Sequence, residues 1–340
     1  GYWVWLIPLA AGNTSIGIVT QNDLHDFATY SRSYETSFEW LQKHEPALAD
    51  YLNGKAPLDF RKIKNYSYSS KQLFSKNGWS CVGEAGIFSD PFYSPGSDMI
   101  AVTNTFTSNL INVDIEKNLS SEKVDQLNSF ILKTMFPDQL SYYIKGYHTF
   151  GNTQIASTKF LWDTLYYWRV YAHAFMTGVF ADFDKLKTFE SFVKQVSPLN
   201  KALQEDFYNW AQSKSSINHF QYADLARKEV FIQSAISLLT NPNSANIASH
   251  YDTQHAFFQE LNAEIEEHVS NKQPSNQTAF SAFFGSLNGV AKRKNKVNRI
   301  ISRIGNGQFL YAIRSLYINT LVKGKRQVHL SWILKLLYAK

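Results

Sequence analysis

The 340-residue chain contains the stretch WSCVGEAGIFSDPFYSPGSD, residues 79–98, which decides how its first part folds. The apolar start predicts a buried strand, the glycine-rich centre a tight turn, and the segment after Pro95 the beginning of a helix. In this layout the Glu84 carboxylate follows the strand, where it can accept hydrogen bonds from a polyol. The free N–H groups of the helix N-terminus face an electron-rich acceptor. The alternative interpretation is a strand, turn and helix in which the glycines serve backbone shape alone.

The segments around this stretch alternate between strand and helix patterns. Residues 2–9 and 14–20 predict a hairpin, because Gly12 and Asn13 between them tolerate positive φ. A helix is predicted over about 35–53, broken near Pro46, and short strands over 61–69 and 78–83. After a loop over 83–97, a helix running to about residue 111 buries a face formed by Met99, Val102, Phe106 and Leu110.

The sequence pattern predicts helices over the remainder of the chain. Ser121 is expected to cap a helix that Pro137 stops, with a buried face of Val124, Leu127, Ile131 and Met135. Further helices are predicted over 155–180, 183–196, 199–213, 222–240 and 253–269. The fold class is α+β, with a domain over 1–115 and a mostly helical domain over 116–340.

The composition argues against a disulfide-stabilised protein and against a membrane-spanning one. An apolar content of 44% describes a globular chain, and the single cysteine, Cys81, excludes an intramolecular disulfide and suits a reducing cytoplasm. No transmembrane helix is predicted. From residue 286 onward there are 12 Lys/Arg and no Asp/Glu, whereas the preceding residues hold the other 22 basic and all 28 acidic residues. A basic tail therefore follows an acidic body.

A second motif lies at the start of the chain, where Trp3-Val4-Trp5-Leu6-Ile7-Pro8 matches the pattern Trp-x-Trp-x-Ile-Pro. That pattern is associated with flavin-dependent halogenases. Residues 79–98 resemble the second flavin-binding motif of the para-hydroxybenzoate hydroxylase superfamily, in the halogenase form with Asp90-Pro91, Ser94 and Gly96. A plain aromatic core face remains the alternative for Trp3, Trp5 and Ile7, which share one side of a strand. The resemblance covers roughly residues 1–115.

The resemblance implies an FAD-dependent oxidoreductase whose first domain supplies a strand layer and a flavin-facing loop. The cofactor-binding residues that it implies are Gly83, Glu84, Ala85, Asp90, Pro91, Ser94, Gly96 and Ser97. The residues that it implies near the flavin and substrate are Trp3, Trp5, Ile7, Pro8 and Tyr93. Glu84 stands where the family has an aspartate.

Two departures concern the reaction. Tryptophan halogenases have a glutamate where this chain has Tyr93, and Pro95 lacks the N–H that would help to hold a halide. We therefore expect oxygenation or reduction to be preferred over halogenation.

The superfamily's dinucleotide-binding signature, Gly-x-Gly-x-x-Gly, does not occur, and Gly305-Asn306-Gly307 is a poor match for it. The signature and the halogenase catalytic lysine are expected to lie outside an incomplete chain, which alone should hold FAD poorly. The aromatic series 160–175 either packs between helices or covers a flat-ring pocket.

The function that these patterns predict is oxidation of an aromatic or lipid-like substrate with reduced flavin and O₂, with a flavin reductase as a partner. The alternatives are a double-bond reductase similar to the geranylgeranyl reductases, and a non-catalytic protein that binds membranes or other proteins. Residues 286–340 either pack on the acidic body or bind an anionic membrane surface. We expect a cytoplasmic protein, with association at a membrane surface as the alternative, and with no metal and no nucleic-acid partner.

Overall fold

The structure is a computed structural model that describes residues 1–213, 229–238 and 246–270. It contains two compact units, each described here by itself. The first comprises residues 1–160 and 180–219, and the second residues 161–179 and 220–340. Helices beyond residue 120 share the first unit with the strands, so the units do not divide at residue 115. The domain boundary expected there stays a prediction.

The chain begins with the predicted antiparallel hairpin of β1 (Tyr2–Pro8) and β2 (Thr14–Thr20). Gly12 has a φ of 82°, and the amide of Leu9 donates to the carbonyl of Asn13 at 2.8 Å. Gly17 pairs with Trp5 across the strands. A Cβ at position 17 would lie 2.1 Å from Cζ2 of Trp5, so glycine leaves the space in which the indole lies.

Three helices follow the hairpin: α1 (Phe27–Tyr30), α2 (Tyr34–His44) and α3 (Pro46–Leu52). The α2 helix begins with a capping box between Ser33 and Thr36. Pro46 separates α2 from α3, which confirms the predicted break. The buried core of this region is formed by Tyr30, Trp40, Leu41 and Ala49.

Short strands then form two further pairs. They are β3 (Tyr68–Ser69) with β6 (Ile87–Phe88), and β4 (Phe74–Ser75) with β5 (Trp79–Ser80). The predicted strands over 61–69 and 78–83 are therefore right only at Tyr68–Ser69 and Trp79–Ser80. One reason is Asn65, whose φ of 54° interrupts an extended backbone.

An asparagine side chain fixes the backbone of β4. Oδ1 of Asn128 accepts hydrogen bonds from the amides of Leu73 (2.8 Å) and Phe74 (3.1 Å), and Nδ2 donates to the carbonyl of Phe74 (2.8 Å). This amide group thus pairs with β4 as a neighbouring strand would.

The helix α4 (Gly96–Ile115) has the predicted buried face and is longer than expected. Next come α5 (Ser121–Ser129), a π-helical segment (Phe130–Met135) and α6 (Phe136–Leu140). The N-cap is Ser120 rather than Ser121, and Pro137 does not stop the helical run. Proline fits there because it falls in the first turn of α6, where its missing N–H costs little.

The last long helix of the first unit is α9 (Phe183–Ser213), which is continuous through Pro198. Two helices were predicted here. The buried apolar face continues on both sides of the proline, with Val193 and Val196 before it and Leu203 and Phe207 after it. Packing of this face outweighs the lost hydrogen bond.

Helix α7 (Thr153–Tyr167) leads into the second unit, where a π-helical segment (Trp168–Ala172) and α8 (His173–Met176) continue it. The unit also contains α10 (Glu229–Ser237) and α11 (Ile247–Ser270). Trp162 and Tyr166 are fully buried and their rings lie 5.5 and 5.1 Å from Phe258, so these aromatic residues pack between helices. The basic tail from residue 286 and Gly305-Asn306-Gly307 lie outside the described residues.

None of the helices in the described ranges combines the length and apolar character needed to cross a bilayer.

Candidate functional site

Gly83 brings the loop of residues 83–97 close to helix α4. Its φ is 56°, and its amide donates to Oγ1 of Thr103 at 2.8 Å. A Cβ at this position would lie 2.5 Å from Cγ1 of Ile100. Both the backbone conformation and the close approach therefore require glycine.

The next residue, Glu84, is exposed and directs its carboxylate at the beginning of α4. Its Oε1 lies 2.8 Å from the point that a Cβ on Gly96 would occupy. The Tyr68 hydroxyl donates to the backbone carbonyl of Glu84, and exposed Ala85 completes this 3₁₀ turn. A carboxylate beside a helix N-terminus is in a favourable field, because the first N–H groups carry partial positive charge.

A tight turn links Pro91 to Ser94 just before α4. The Ser94 amide donates to the carbonyl of Pro91 at 2.8 Å, and both Tyr93 and Ser94 have positive φ, 65° and 57°. Each costs about 1–2 kcal/mol in a residue with a Cβ, so the surrounding contacts hold this turn. Tyr93, Ser94 and Ser97 are exposed. Since the Ser94 amide is used within the turn and Pro95 has none, neither residue offers an N–H to a ligand.

Asp90 connects the loop to the N-terminal hairpin through Tyr147. The Tyr147 hydroxyl donates to Oδ2 of Asp90 and accepts from Nε1 of Trp3, each at 2.7 Å. Oδ1 of Asp90 accepts from the amide of Phe92 at 2.8 Å. The two motifs of the sequence are thus joined by one buried tyrosine.

The surroundings of Asp90 change its acidity. Burial raises the pKa of its carboxyl, and the hydrogen bonds from Tyr147 and Phe92 offset part of that increase. Burial and the neighbouring carboxylate also raise the pKa of the Tyr147 hydroxyl. Tyr147 therefore remains a hydrogen-bond donor at neutral pH.

The other motif residues of the hairpin do not hydrogen-bond to Tyr147. Trp5 lies 5.7 Å from Trp3, ring to ring, but its indole N–H donates to Ser15 within the hairpin at 3.1 Å. Ile7 and Pro8 are exposed at the end of β1. The structure thus brings together Trp3 with Asp90, and Glu84 with Gly96.

Two residues of this site were missed from the sequence. Tyr147 follows no motif and lies in a 3₁₀ turn (Gly146–Thr149) far along the chain from Asp90. Thr103 carried a usable signal, since it is a polar residue on the otherwise apolar buried face of α4. In the described ranges no group of three or more His, Cys, Asp or Glu side chains is placed to hold a metal ion.

Sequence comparisons place these two joined motifs in a chain that is similar to flavin-dependent halogenases. Several of its curated relatives are flavin-dependent halogenases, so the chain is halogenase-like. One, from Dictyostelium discoideum, is 26% identical over 180 residues, 52% of this chain and 30% of that protein. Another, from Acremonium egyptiacum, is 29% identical over 127 residues, 35% of this chain and 22% of the relative. A tryptophan 2-halogenase from Chondromyces crocatus is 32% identical over 96 residues, 28% of this chain and 18% of that enzyme.

The chain spans less than a third of the length of these relatives. No family model matches it, and no solved structure does. The relationship implies a flavin cofactor, FAD.

The residues at the start of α4 fit such a cofactor. Glu84 presents an exposed carboxylate that can accept hydrogen bonds from hydroxyl groups, and the missing side chain of Gly96 leaves space beside it. The N-terminus of α4 supplies partial positive charge at the same place.

Proposed function

We propose that the chain forms the flavin-ring side of an FAD-dependent, halogenase-like oxidoreductase that acts on an aromatic or lipid-like substrate. The observation that carries this proposal is the position of the Glu84 carboxylate beside Gly96 at the N-terminus of α4. When bound and reduced, FAD supplies the electrons that activate O₂. A separate reductase would reduce the flavin.

The chain's own residues would bind the flavin and orient its ring. Glu84 would accept hydrogen bonds from the ribityl hydroxyl groups, with Gly83 and Ala85 shaping its turn. Pro91, Ser94, Gly96 and Ser97 would form the loop at the edge of the flavin ring. Tyr147 would hold that loop through Asp90, and the exposed Tyr93 ring would lie on the substrate side.

Oxygenation of the substrate is the second candidate reaction, and the turn before α4 favours it over halogenation. The Ser94 amide donates within the turn and Pro95 has no N–H. Each amide that a halide site loses weakens it by about 1–3 kcal/mol. The relatives' names favour halogenation, so both reactions are tested together.

Flavin binding is the first test. FAD is titrated against the protein and against Glu84→Ala, with Glu116→Ala at the other end of α4 as the matched control. Because the chain lacks the dinucleotide-binding signature, we expect weak but saturable quenching of flavin fluorescence. Glu84→Ala should weaken the affinity by a further ~10-fold, because hydrogen bonds to a charged group are lost. Glu116→Ala should leave the affinity unchanged. Equal affinities in all three proteins, or no binding by any, would contradict the proposed flavin contacts.

The reaction is tested with FAD kept reduced by a flavin reductase, O₂, bromide and a panel of electron-rich arenes and polyenes. Mass spectrometry distinguishes the outcomes. Brominated products that require bromide support halogenation, whereas hydroxylated or epoxidised products formed without bromide support oxygenation. Products reduced at a double bond would contradict both.

A further inference from the structure

Arg169 in the second unit is held by neutral groups. Its Nε donates to Oγ of Ser234 at 2.7 Å, and its Nη1 donates to Oε1 of Gln254 at 2.9 Å. The guanidinium carbon lies 3.8 Å from the centre of the Phe257 ring. A guanidinium has five N–H donors and these two bonds use two of them, which leaves three available.

Within the described part of the chain, no carboxylate forms an ion pair with Arg169, and burial is the only cause that shifts its pKa. Burial lowers the pKa of Arg169 to about 10, so the group still carries its charge at neutral pH. Arg169 is half-buried, so its charge is partly desolvated, and the contact with Phe257 and the two hydrogen bonds offset part of that cost.

A histidine with an unused nitrogen is on the same helix as Gln254. His250 precedes Gln254 by one helical turn on α11, so the two share one side of the helix. Its ring stacks on His173 at 4.4 Å, and its Nε2 is buried without a hydrogen-bond partner. Burial, with smaller contributions from His173 and Arg169, lowers the pKa of His250 to about 4, so the ring is neutral and can donate one N–H.

We propose that Arg169 and His250 form a binding site for an oxyanion, the carboxylate or phosphate group of a small molecule. The planar guanidinium matches two oxygens of such a group, and an oxyanion supplies the counter-charge that the described residues do not. Ser234, Gln254 and Phe257 fix the orientation of the guanidinium before the ligand arrives. This site is independent of the proposed flavin contacts, because all its residues belong to the second unit.

The probes are sodium phosphate, sodium acetate and, for comparison, sodium chloride at equal ionic strength and pH. Thermal unfolding is followed for the full chain, for Arg169→Met and for the control Arg61→Met, which removes an exposed arginine. We expect phosphate, acetate or both to raise the Tm of the full chain and of Arg61→Met above its value in chloride. Phosphate alone would indicate a phosphorylated ligand, and acetate alone a carboxylate. Arg169→Met should lose the response without losing stability in chloride.

If Arg169→Met does not fold, the oxyanion response is measured in Arg169→Lys and His250→Gln instead. Both should weaken the oxyanion response by ~10-fold in the concentration required, because the lysine lacks the planar fork and the glutamine changes the second donor. An equal rise of Tm in chloride, or an unchanged response in the Arg169 variants, would overturn the proposal.

Discussion

The hydroxyl group of Tyr147 donates a 2.7 Å hydrogen bond to the carboxylate of Asp90, 57 residues earlier in the chain. The same hydroxyl accepts from the indole of Trp3. One side chain therefore connects the N-terminal hairpin to the loop before α4. Trp3 and Asp90 each depend on this hydroxyl for a hydrogen bond, so a change in Tyr147 affects both.

Removing the hydroxyl of Tyr147 should destabilise the protein. In Tyr147→Phe, the Trp3 indole loses its acceptor and Asp90 loses a donor, which costs about 1–3 kcal/mol of the free energy of unfolding. Urea denaturation measures the difference. The control is Tyr51→Phe, since Tyr51 is 65% exposed and should change the stability little. A Tyr147→Phe variant as stable as the control would contradict this prediction.

Asp90 should make stability depend on pH. Because burial raises the pKa of its carboxyl in the folded state, the folded protein binds this proton more tightly than the unfolded chain does. The contribution of Asp90 is therefore greatest below its unfolded pKa of ~3.9 and is lost as pH rises through the folded pKa. The stability of the protein relative to Asp90→Asn should fall over that range.

The hydrogen bond from Tyr147 lowers the pKa of Asp90, so Tyr147→Phe should extend the same loss to higher pH. Urea denaturation at a series of pH values, with and without Asp90→Asn in each background, tests both statements. A stability difference that stays constant or rises with pH would show that the folded pKa of Asp90 is not raised.

Gly17 should tolerate no side chain. In Gly17→Ala the new Cβ meets the indole of Trp5, which must rotate out of its contacts with the hairpin. We expect a loss of about 1–3 kcal/mol of the free energy of unfolding, as for other overpacked sites, together with a change in tryptophan fluorescence. Gly151→Ala is the matched control, because a Cβ there meets nothing within 4 Å. Similar stabilities of the two variants would contradict this explanation of Gly17.

Much of the candidate site was accessible from the sequence. Glu84 and Gly96 follow from the spacing of a strand, a glycine-rich turn and a helix start, and the structure places them together. Asp90 was also identified, but its partner was not. Tyr147 lies in no motif, and the three tyrosines from Tyr142 to Tyr147 look alike until the chain is folded. The flavin-facing and substrate-facing roles of all the motif residues stay predictions, as do the membrane and reductase partners.

The sequence by itself determined the hairpin, the break at Pro46 and the buried face of α4, because turn chemistry and side-chain periodicity act between residues close along the chain. Tertiary structure alone decided that α9 continues through Pro198, that Tyr147 reaches Asp90, and that Arg169 is held by Ser234 and Gln254. These features depend on contacts between residues 57 to 85 positions apart, or on a packed apolar face that outweighs a local preference. A local sequence pattern does not indicate which distant surfaces will pack together. Burial against those surfaces supplies most of the free energy that stabilises the folded state.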